Sequence, residues 1–438
     1  MSSRLVCAGC GASPPAGAPF PFRCPNAGVG DVDHVLRRVL SPDLAFPRTA
    51  ADDETPFVTY RTLLHSYDRA LAGGMGDGEY VGLVRRLDLA VAEVDGAGFA
   101  ATPLSRSDAL SSALGFAPGG GVWVKDETGN VAGSHKARHL MGVMLHLEVA
   151  EQTGLSSPAR RPDLAIASCG NAALAAGVVA AAAGWRLRVF VPVDADEAIV
   201  ARLRSLGADV VACPRRPGER GDPAYLRLQE AIAQGALPFT CQGNENGLAI
   251  EGGETLGYEM VSAGPQFDHL VVQVGGGALA TACIDAFAEA VALGALDRSP
   301  RAHTVQTTGA HPLERAYHRV ASRVAAPGDI DAVVQEAAAH RSQYMWPWES
   351  EPKSIAEGIL DDETYDWVAV VRGMLRTRGE PLVVSEDRLA EANDLGRAAG
   401  YAVSATGSAG LAGLLELRAT GVVAPGERVA VLFTGVER

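Results

Sequence analysis

The run Lys125-Asp-Glu-Thr-Gly-Asn-Val-Ala-Gly-Ser-His-Lys-Ala-Arg-His139 decides how this chain is read. A strand-like stretch, Val122-Trp123-Val124, leads into a turn-rich loop holding Gly129, Asn130 and Gly133. Ser134-His135-Lys136 then opens a helix-like stretch rich in Leu, Met and His. The positive end of a helix dipole disfavours an ammonium at a helix start. The same field suits a neutral lysine nitrogen, such as an imine, beside a bound anion. Taken alone, the run fits as well a surface lysine that merely begins a helix.

Three further segments share a strand-turn-helix pattern. In Ala165-Ile-Ala-Ser-Cys-Gly-Asn171 an apolar strand meets a Ser/Gly/Asn turn, and an alanine-rich helix continues to Ala183. Ser168, the N–H groups around Gly170, and Asn171 would converge there and can hold a carboxylate. An N-cap with nothing bound has the same sequence. In Leu270-Val-Val-Gln-Val-Gly-Gly-Gly-Ala-Leu279, three glycines permit backbone conformations barred to other residues and offer N–H groups to a phosphate. The spacing is neither a GxGxxG fingerprint nor a Walker A loop, because no Gly-Lys-Ser/Thr follows. Val403-Ser-Ala-Thr-Gly-Ser-Ala-Gly-Leu-Ala-Gly413 puts hydroxyls at another small-residue helix start, by itself a capping motif.

Together and in this order, the four segments resemble the fold type II family of pyridoxal-phosphate enzymes, over about residues 95–438. The similarity points to the branch of threonine synthase and the threonine and serine dehydratases. It implies an α/β fold with two parallel-sheet domains of the tryptophan synthase beta type. It also implies pyridoxal 5'-phosphate as cofactor, an aldehyde that forms a lysine imine and carries an anion. On this resemblance Lys136 is the Schiff-base lysine. Asn171 would bond the ring hydroxyl, and Ser168, Cys169 and Gly170 would face the substrate carboxylate. Gly275, Gly276, Gly277, Ala278 and Leu279 would cradle the phosphate. Thr406, or failing that Ser408, would meet the pyridine nitrogen. His135 either contacts the phosphate or packs. Ser-His-Lys stands where Ser-Phe-Lys is common, and Ser-Cys-Gly-Asn where Ser-Ser-Gly-Asn is common.

The expected chemistry follows. Lys136, displaced by an amino-acid substrate, serves as general base at the Cα proton. A hydroxyl rather than a carboxylate at the ring nitrogen leaves a weaker electron sink. That favours loss or replacement of a β or γ leaving group, a lyase reaction on a hydroxy or phospho amino acid. A phosphorylated substrate needs basic residues, for which His135, Arg138, Lys125 and Lys353 are candidates. A dehydratase, a specialised β-replacement enzyme, and a non-catalytic binding protein are the other readings.

The first 50 residues form a separate unit. Cys7-Ala-Gly-Cys10 reads as a metal knuckle, with Cys24 and His34 as third and fourth ligands for zinc. Threonine synthase-like members often carry such an element, but here the second cysteine pair is incomplete, so a knuckle without metal fits too. Residues 51–139 are expected to be a helical lead-in and the start of the large domain. Residues 140–250 would form a small substrate-clamping domain, and 251–438 the rest of the large domain. Leu63, Leu64, Tyr67 and Leu71 are expected on one helical face. Leu187–Val191 and 209–213 read as strands around a helix over 197–206, a βαβ pattern with a parallel sheet. The Glu251-Gly-Gly-Glu-Thr255 stretch resembles threonine synthase. The aromatic stretch Arg341–Glu351 reads as a loop over the active site or a subunit contact.

The 438 residues, 47% hydrophobic, provide for a core and two or three domains. A net charge of -14 argues against nucleic-acid binding. No run of about 18 apolar residues suggests a membrane span, and the N-terminus lacks an apolar signal core. Seven cysteines, an odd number, suit reduced thiols and a cytoplasmic protein. The expected partner is a small amino-acid substrate, and the expected assembly a homodimer.

Overall fold

The computed structural model describes residues 2–47 and 54–438. The expected boundary between 50 and 51 lies outside the described residues. The chain opens with an antiparallel hairpin, β1 (Ser3–Cys7) and β2 (Leu36–Leu40), in register from Ser3↔Leu40 to Cys7↔Leu36. Helices His65–Ala72 and Asp77–Asp95 follow. Here one expectation needs correcting. Leu63 and Leu64 are buried but precede the helix, Tyr67 is half-buried, and Leu71 is exposed. The helix instead buries His65, Ser66, Asp68 and Ala70. Those polar groups are paired: Ser3 Oγ with His65 Nδ1, Ser2 Oγ with Asp68, and Ser66 with Tyr80.

β3 (Leu104–Ser107) runs antiparallel to β4 (Gly121–Asp126), whose Val122, Trp123 and Val124 favour extended backbone. After α1 (Lys136–Gln152) come β5 (Leu164–Ala167), α2 (Asn171–Ala182), β6 (Leu187–Val191), β7 (Asp209–Ala212), α3 (Pro223–Ala233) and β8 (Leu237–Pro238). These four strands make a parallel sheet in the order β7-β6-β5-β8. The chain continues through α4 (Ala249–Ala263), β9 (His269–Gln273), α5 (Ala278–Ala292), β10 (Arg301–Thr307), β11 (Pro381–Val384), α6 (Ala405–Ala419) and β12 (Arg428–Phe433). The larger sheet has the order β11-β10-β9-β12-β4-β3 and is parallel except at its β3 edge. Every residue of β9 is buried, as are the last five of β12. Such continuous burial is what helices on both faces of a parallel sheet produce.

α1 is buried almost all round, wedged between α2 and α4. The glycine pair at 252–253 permits this. A Cβ at Gly252 would come 2.1 Å from the Arg138 carbonyl oxygen, and one at Gly253 would strike the His139 ring. Gln273, buried in the middle of the larger sheet, ties its parts together. Its Nε2 donates to the Gly407 carbonyl at 2.8 Å and to Thr434 Oγ1 at 2.7 Å. β9, β12 and β4 are neighbours, so the loops after Gln273, Phe433 and Asp126 leave one end of the sheet side by side. In open α/β sheets ligands bind beyond those carboxyl ends.

Candidate active site

The loop from Asp126 to Lys136 is held by its own side chains. Asn130 donates to Glu127 Oε2 at 2.8 Å and accepts from the Val131 N–H at 2.9 Å. Ala132 takes a left-handed φ of 54°, and its N–H is fixed by Asp95 at 2.7 Å. Non-glycine residues held in that region are strained and collect at functional sites. Lys136 thus enters as the first residue of α1. No hydrogen bond or ion pair closes on its Nζ among the described residues.

The segment after β12 gathers the other loops. Ser134 bridges Gly435, and Val403 bridges Val436. The Ser404 N–H donates to the Gly435 carbonyl at 3.0 Å, and the Val436 N–H to the Gly133 carbonyl at 3.0 Å. A Cβ at Gly435 would lie 2.9 Å from Asn171 Nδ2. Arg438 donates to Asn171 Oδ1 and, at 2.6 Å, to the Ala132 carbonyl. The lysine loop, Asn171 and the start of α6 therefore meet around Gly435. Sequence reading singled out neither Gly435 nor Arg438 as site residues, and only the closing Phe433-Thr434-Gly435 turn hinted at the first.

The glycine turn after β9 completes the group. Gly277 has φ 102° and opens α5 with no side-chain cap. The first N–H groups of α5, at Ala278 and Leu279, have no intrahelical partner. The Asp361 carboxylate lies on this turn. A Cβ at Gly275 would sit 2.2 Å from its Oδ2 and one at Gly276 3.8 Å from the same oxygen. Desolvation pushes the Asp361 carboxyl up to about 6, against the pull of the nearby Lys136 ammonium. Desolvation likewise pushes Asp366, which also feels Lys136, up to about 8. Lys136 and the glycine turn thus share a neighbourhood. A carboxylate already rests against the turn, where a cofactor phosphate would meet the free N–H groups.

The Gly170 N–H reaches Ser168 Oγ at 3.4 Å, Cys169 is exposed, and α2 begins without a side-chain cap. Desolvation and the carboxylates of Asp222, Asp194 and Glu357 push the Cys169 thiol up. Thr406 Oγ1 accepts from the Gly358 N–H at 3.0 Å. Ser408 is buried, donating to the Ser404 carbonyl and accepting from Asn393 Nδ2, both at 3.1 Å. Ser404, the cap of α6, is the hydroxyl nearer Gly435. His135 is buried and its pKa falls well below the usual value, chiefly through desolvation. Its Nδ1 must donate to the Thr434 carbonyl at 3.2 Å, so the unpartnered Nε2 is an acceptor.

Lys125 and Arg138 do not reach the site. Arg138 Nε donates to Glu127 Oε2 at 2.8 Å and Nη1 to Glu259 Oε1 at 2.6 Å. Lys125 Nζ donates to Glu259 and to the Thr102 carbonyl. All four charges are buried and balance one another. The expectation that either cation serves a substrate phosphate is therefore corrected. Lys353 is exposed. The segment Arg341–Glu351 braces the Asp361 turn, with the Trp348 N–H donating to the Asp362 carbonyl at 2.9 Å.

At the N-terminus, Cys7, Cys10, Cys24 and His34 bring one ligand atom each within 4.8 Å of one another. The Cys10 and Cys24 sulfurs are 3.5 Å apart, and Cys7 Sγ lies 3.6 Å from His34 Nδ1. A tetrahedral ion with bonds of about 2.0–2.3 Å asks for such spacings. His34 Nε2 donates to the Val29 carbonyl at 3.0 Å, which turns the Nδ1 lone pair toward the sulfurs.

A family model for pyridoxal-phosphate dependent enzymes matches residues 97–435. The chain is 37% identical over 152 residues to a probable D-serine dehydratase of Paracidovorax citrulli, covering 30% of this chain and 33% of that one. It is 26% identical over 342 residues to the threonine synthase of Methanosarcina acetivorans, covering 76% and 74%. The fold is shared with the processed form of threonine deaminase isoform 2 from Solanum lycopersicum, at TM-score 0.58 and 16% identity, over 90% of this chain and 95% of that one.

Proposed function

Because the chain belongs to the family of pyridoxal-phosphate dependent enzymes, we propose that it is a lyase that removes the side-chain hydroxyl of a small hydroxy amino acid. One observation carries the choice of leaving group. Lys125 and Arg138 are committed to Glu127 and Glu259, the Asp361 carboxylate lies against the glycine turn, and the carboxylates of Asp222, Asp194 and Glu357 act on the Cys169 thiol. Such surroundings repel a substrate phosphate and tolerate a hydroxyl.

The cofactor, when bound, supplies an electron sink conjugated with the substrate Cα. Lys136 would anchor it through its amine, and the N–H groups from Gly275 to Leu279 would hold its phosphate. Asn171, fixed by Arg438, would orient the ring. The Ser168-Cys169-Gly170 turn and the uncapped start of α2 would take the substrate carboxylate. The free Lys136 amine would take the substrate Cα proton at Nζ and would return it to the departing hydroxyl, which would leave as water. Thr406 or Ser404, each neutral, would face the ring nitrogen. Asp361 must leave the glycine turn before a phosphate enters, because both anions seek the same donors.

Mass spectrometry of products from serine, threonine, O-acetylserine and O-phosphohomoserine tests this reading. Keto acid and ammonia from serine or threonine are expected. The threonine synthase similarity over three quarters of each chain favours a second reading, replacement on a phosphorylated substrate. Phosphate release from O-phosphohomoserine, with no keto acid from serine or threonine, would establish that one instead.

Two finer points belong to the same proposal. The Cys7, Cys10, Cys24 and His34 cluster would hold one zinc ion, and Cys10→Ser should release it without loss of Lys136 chemistry. Elemental analysis that finds no metal in wild-type protein purified without chelator would leave a knuckle that keeps its shape unaided. A cytoplasmic homodimer is the proposed state, supported for the compartment by seven unpaired cysteines, and light scattering tests the dimer.

A further inference from the structure

Between the N-terminal hairpin, α3 and the segment that follows Asp361 lies a cavity of about 400 Å3. Lys136, Asn171 and the glycine turn do not line it, but the Tyr365 ring, which does, stands against Gly276 and forms the wall between the two. Five carboxylates border it: Asp33, Asp222, Glu245, Asp362 and Glu363. Two guanidinium groups, Arg23 and Arg341, and the His34 ring line it as well, and Asp222 accepts from the first N–H groups of α3. Arg341 is already paired with Asp33 and Glu363, and Arg23 stands 3.6 Å from Glu245 with 40% of its side chain exposed.

The hydrogen-bonding imbalance has the same sign. Asp33 Oδ2, Glu245 Oε2 and Asn244 Oδ1 are buried acceptors with no hydrogen bond. Asp33 and Glu245 are only 3% and 1% exposed. Among the described residues no lining nitrogen is left in that state. Desolvation and neighbouring Glu363 push the Asp362 carboxyl up, as expected where positive charge is short. The rings of Tyr225 and Tyr365, 6.1 Å apart, supply aromatic faces on which a cation can rest. A cavity rich in acceptors, short of donors and negative in sum selects a ligand that brings N–H groups and positive charge.

We propose that this cavity is a binding site for a small organic ammonium compound, distinct from the Lys136 site. The test is calorimetric titration of the purified holoprotein at 0.15 M salt with 1,4-diaminobutane, and with 1,4-butanediol as its uncharged counterpart. The diamine should bind saturably at one site per chain and the diol should give no measurable heat. Asp362→Asn should weaken the diamine at least fivefold. Arg23→Ala, which removes an exposed competing cation, should tighten it, and this opposite sign cannot come from a folding defect. Lys136→Ala should leave the affinity unchanged. Equal behaviour of diamine and diol, non-saturating binding, or loss of binding in Lys136→Ala would overturn the proposal. So would displacement of the diamine by serine, which would make the cavity the mouth of the Lys136 site.

Discussion

Asp361 sets the terms on which the glycine turn accepts an anion. With its carboxyl pushed to about 6, it is neutral in mild acid and ionised at neutral pH. Once ionised it places a negative charge against the glycine turn and opposes a phosphate. Asp361→Asn should therefore retain cofactor better than wild type. The difference should be about tenfold at pH 8, the scale of one pKa unit, and should close below pH 6. Equilibrium dialysis at both pH values measures it, and equal retention at pH 8 would remove Asp361 from the cradle. Lys136, Asn171 and the three glycines were legible because their types and spacing are local. Asp361 was not, since it reaches the turn from another part of the chain and no motif surrounds it. Lys125 and Arg138 show the converse: their charge was legible, but their burial against Glu127 and Glu259 is a fact of packing.

The turn between β9 and α5 depends on one backbone conformation. Gly277 has φ 102°, and a Cβ there would press on Thr364 Cγ2 at 3.0 Å and Asp366 Cβ at 3.1 Å. Gly277→Ala should cost roughly 1–3 kcal/mol through the left-handed backbone and reduce cofactor retention. Denaturant unfolding and dialysis report the two losses separately. An alanine variant of wild-type stability and retention would show that the turn does not need its glycine. At this scale the apolar runs reported well: 122–124 and 187–191 lie in strands, and helices open near 136, 171, 197, 278 and 405. The helix over His65–Ala72 reported badly, because it buries hydrogen-bonded polar groups and leaves Leu71 outside. Hydrophobic periodicity cannot register a polar interface. The division into a small domain over 140–250 and a large one remains a proposal, supported by the separate sheet that β5 to β8 form.

For the molecule as a whole, buried charge is the main hazard to stability. Arg138→Met would strand Glu127 inside the core and leave Lys125 alone to answer two buried carboxylates, and should cost about 3–5 kcal/mol in denaturant unfolding. A loss under 1 kcal/mol would mean that the carboxylates find other partners. pH acts through acids raised by desolvation, Glu251 to about 7 and Asp366 to about 8. Their unfolded values lie near 4. Stability from their neutral forms is complete below pH 4 and is lost as pH rises through 7 to 8. The cofactor-free protein should thus melt lower at pH 9 than at pH 6, and Asp366→Asn should flatten the decline. A variant that declines as steeply as wild type would exonerate Asp366. The central claim is that Lys136 carries the cofactor at the glycine turn. The chain has only three lysines, Lys125, Lys136 and Lys353, so borohydride reduction of the holoprotein followed by peptide mapping tests it directly. The account predicts a pyridoxyl phosphate mass on the peptide containing Lys136 and on no other. The same mass on Lys125 or Lys353, or no stable adduct at all, would contradict it.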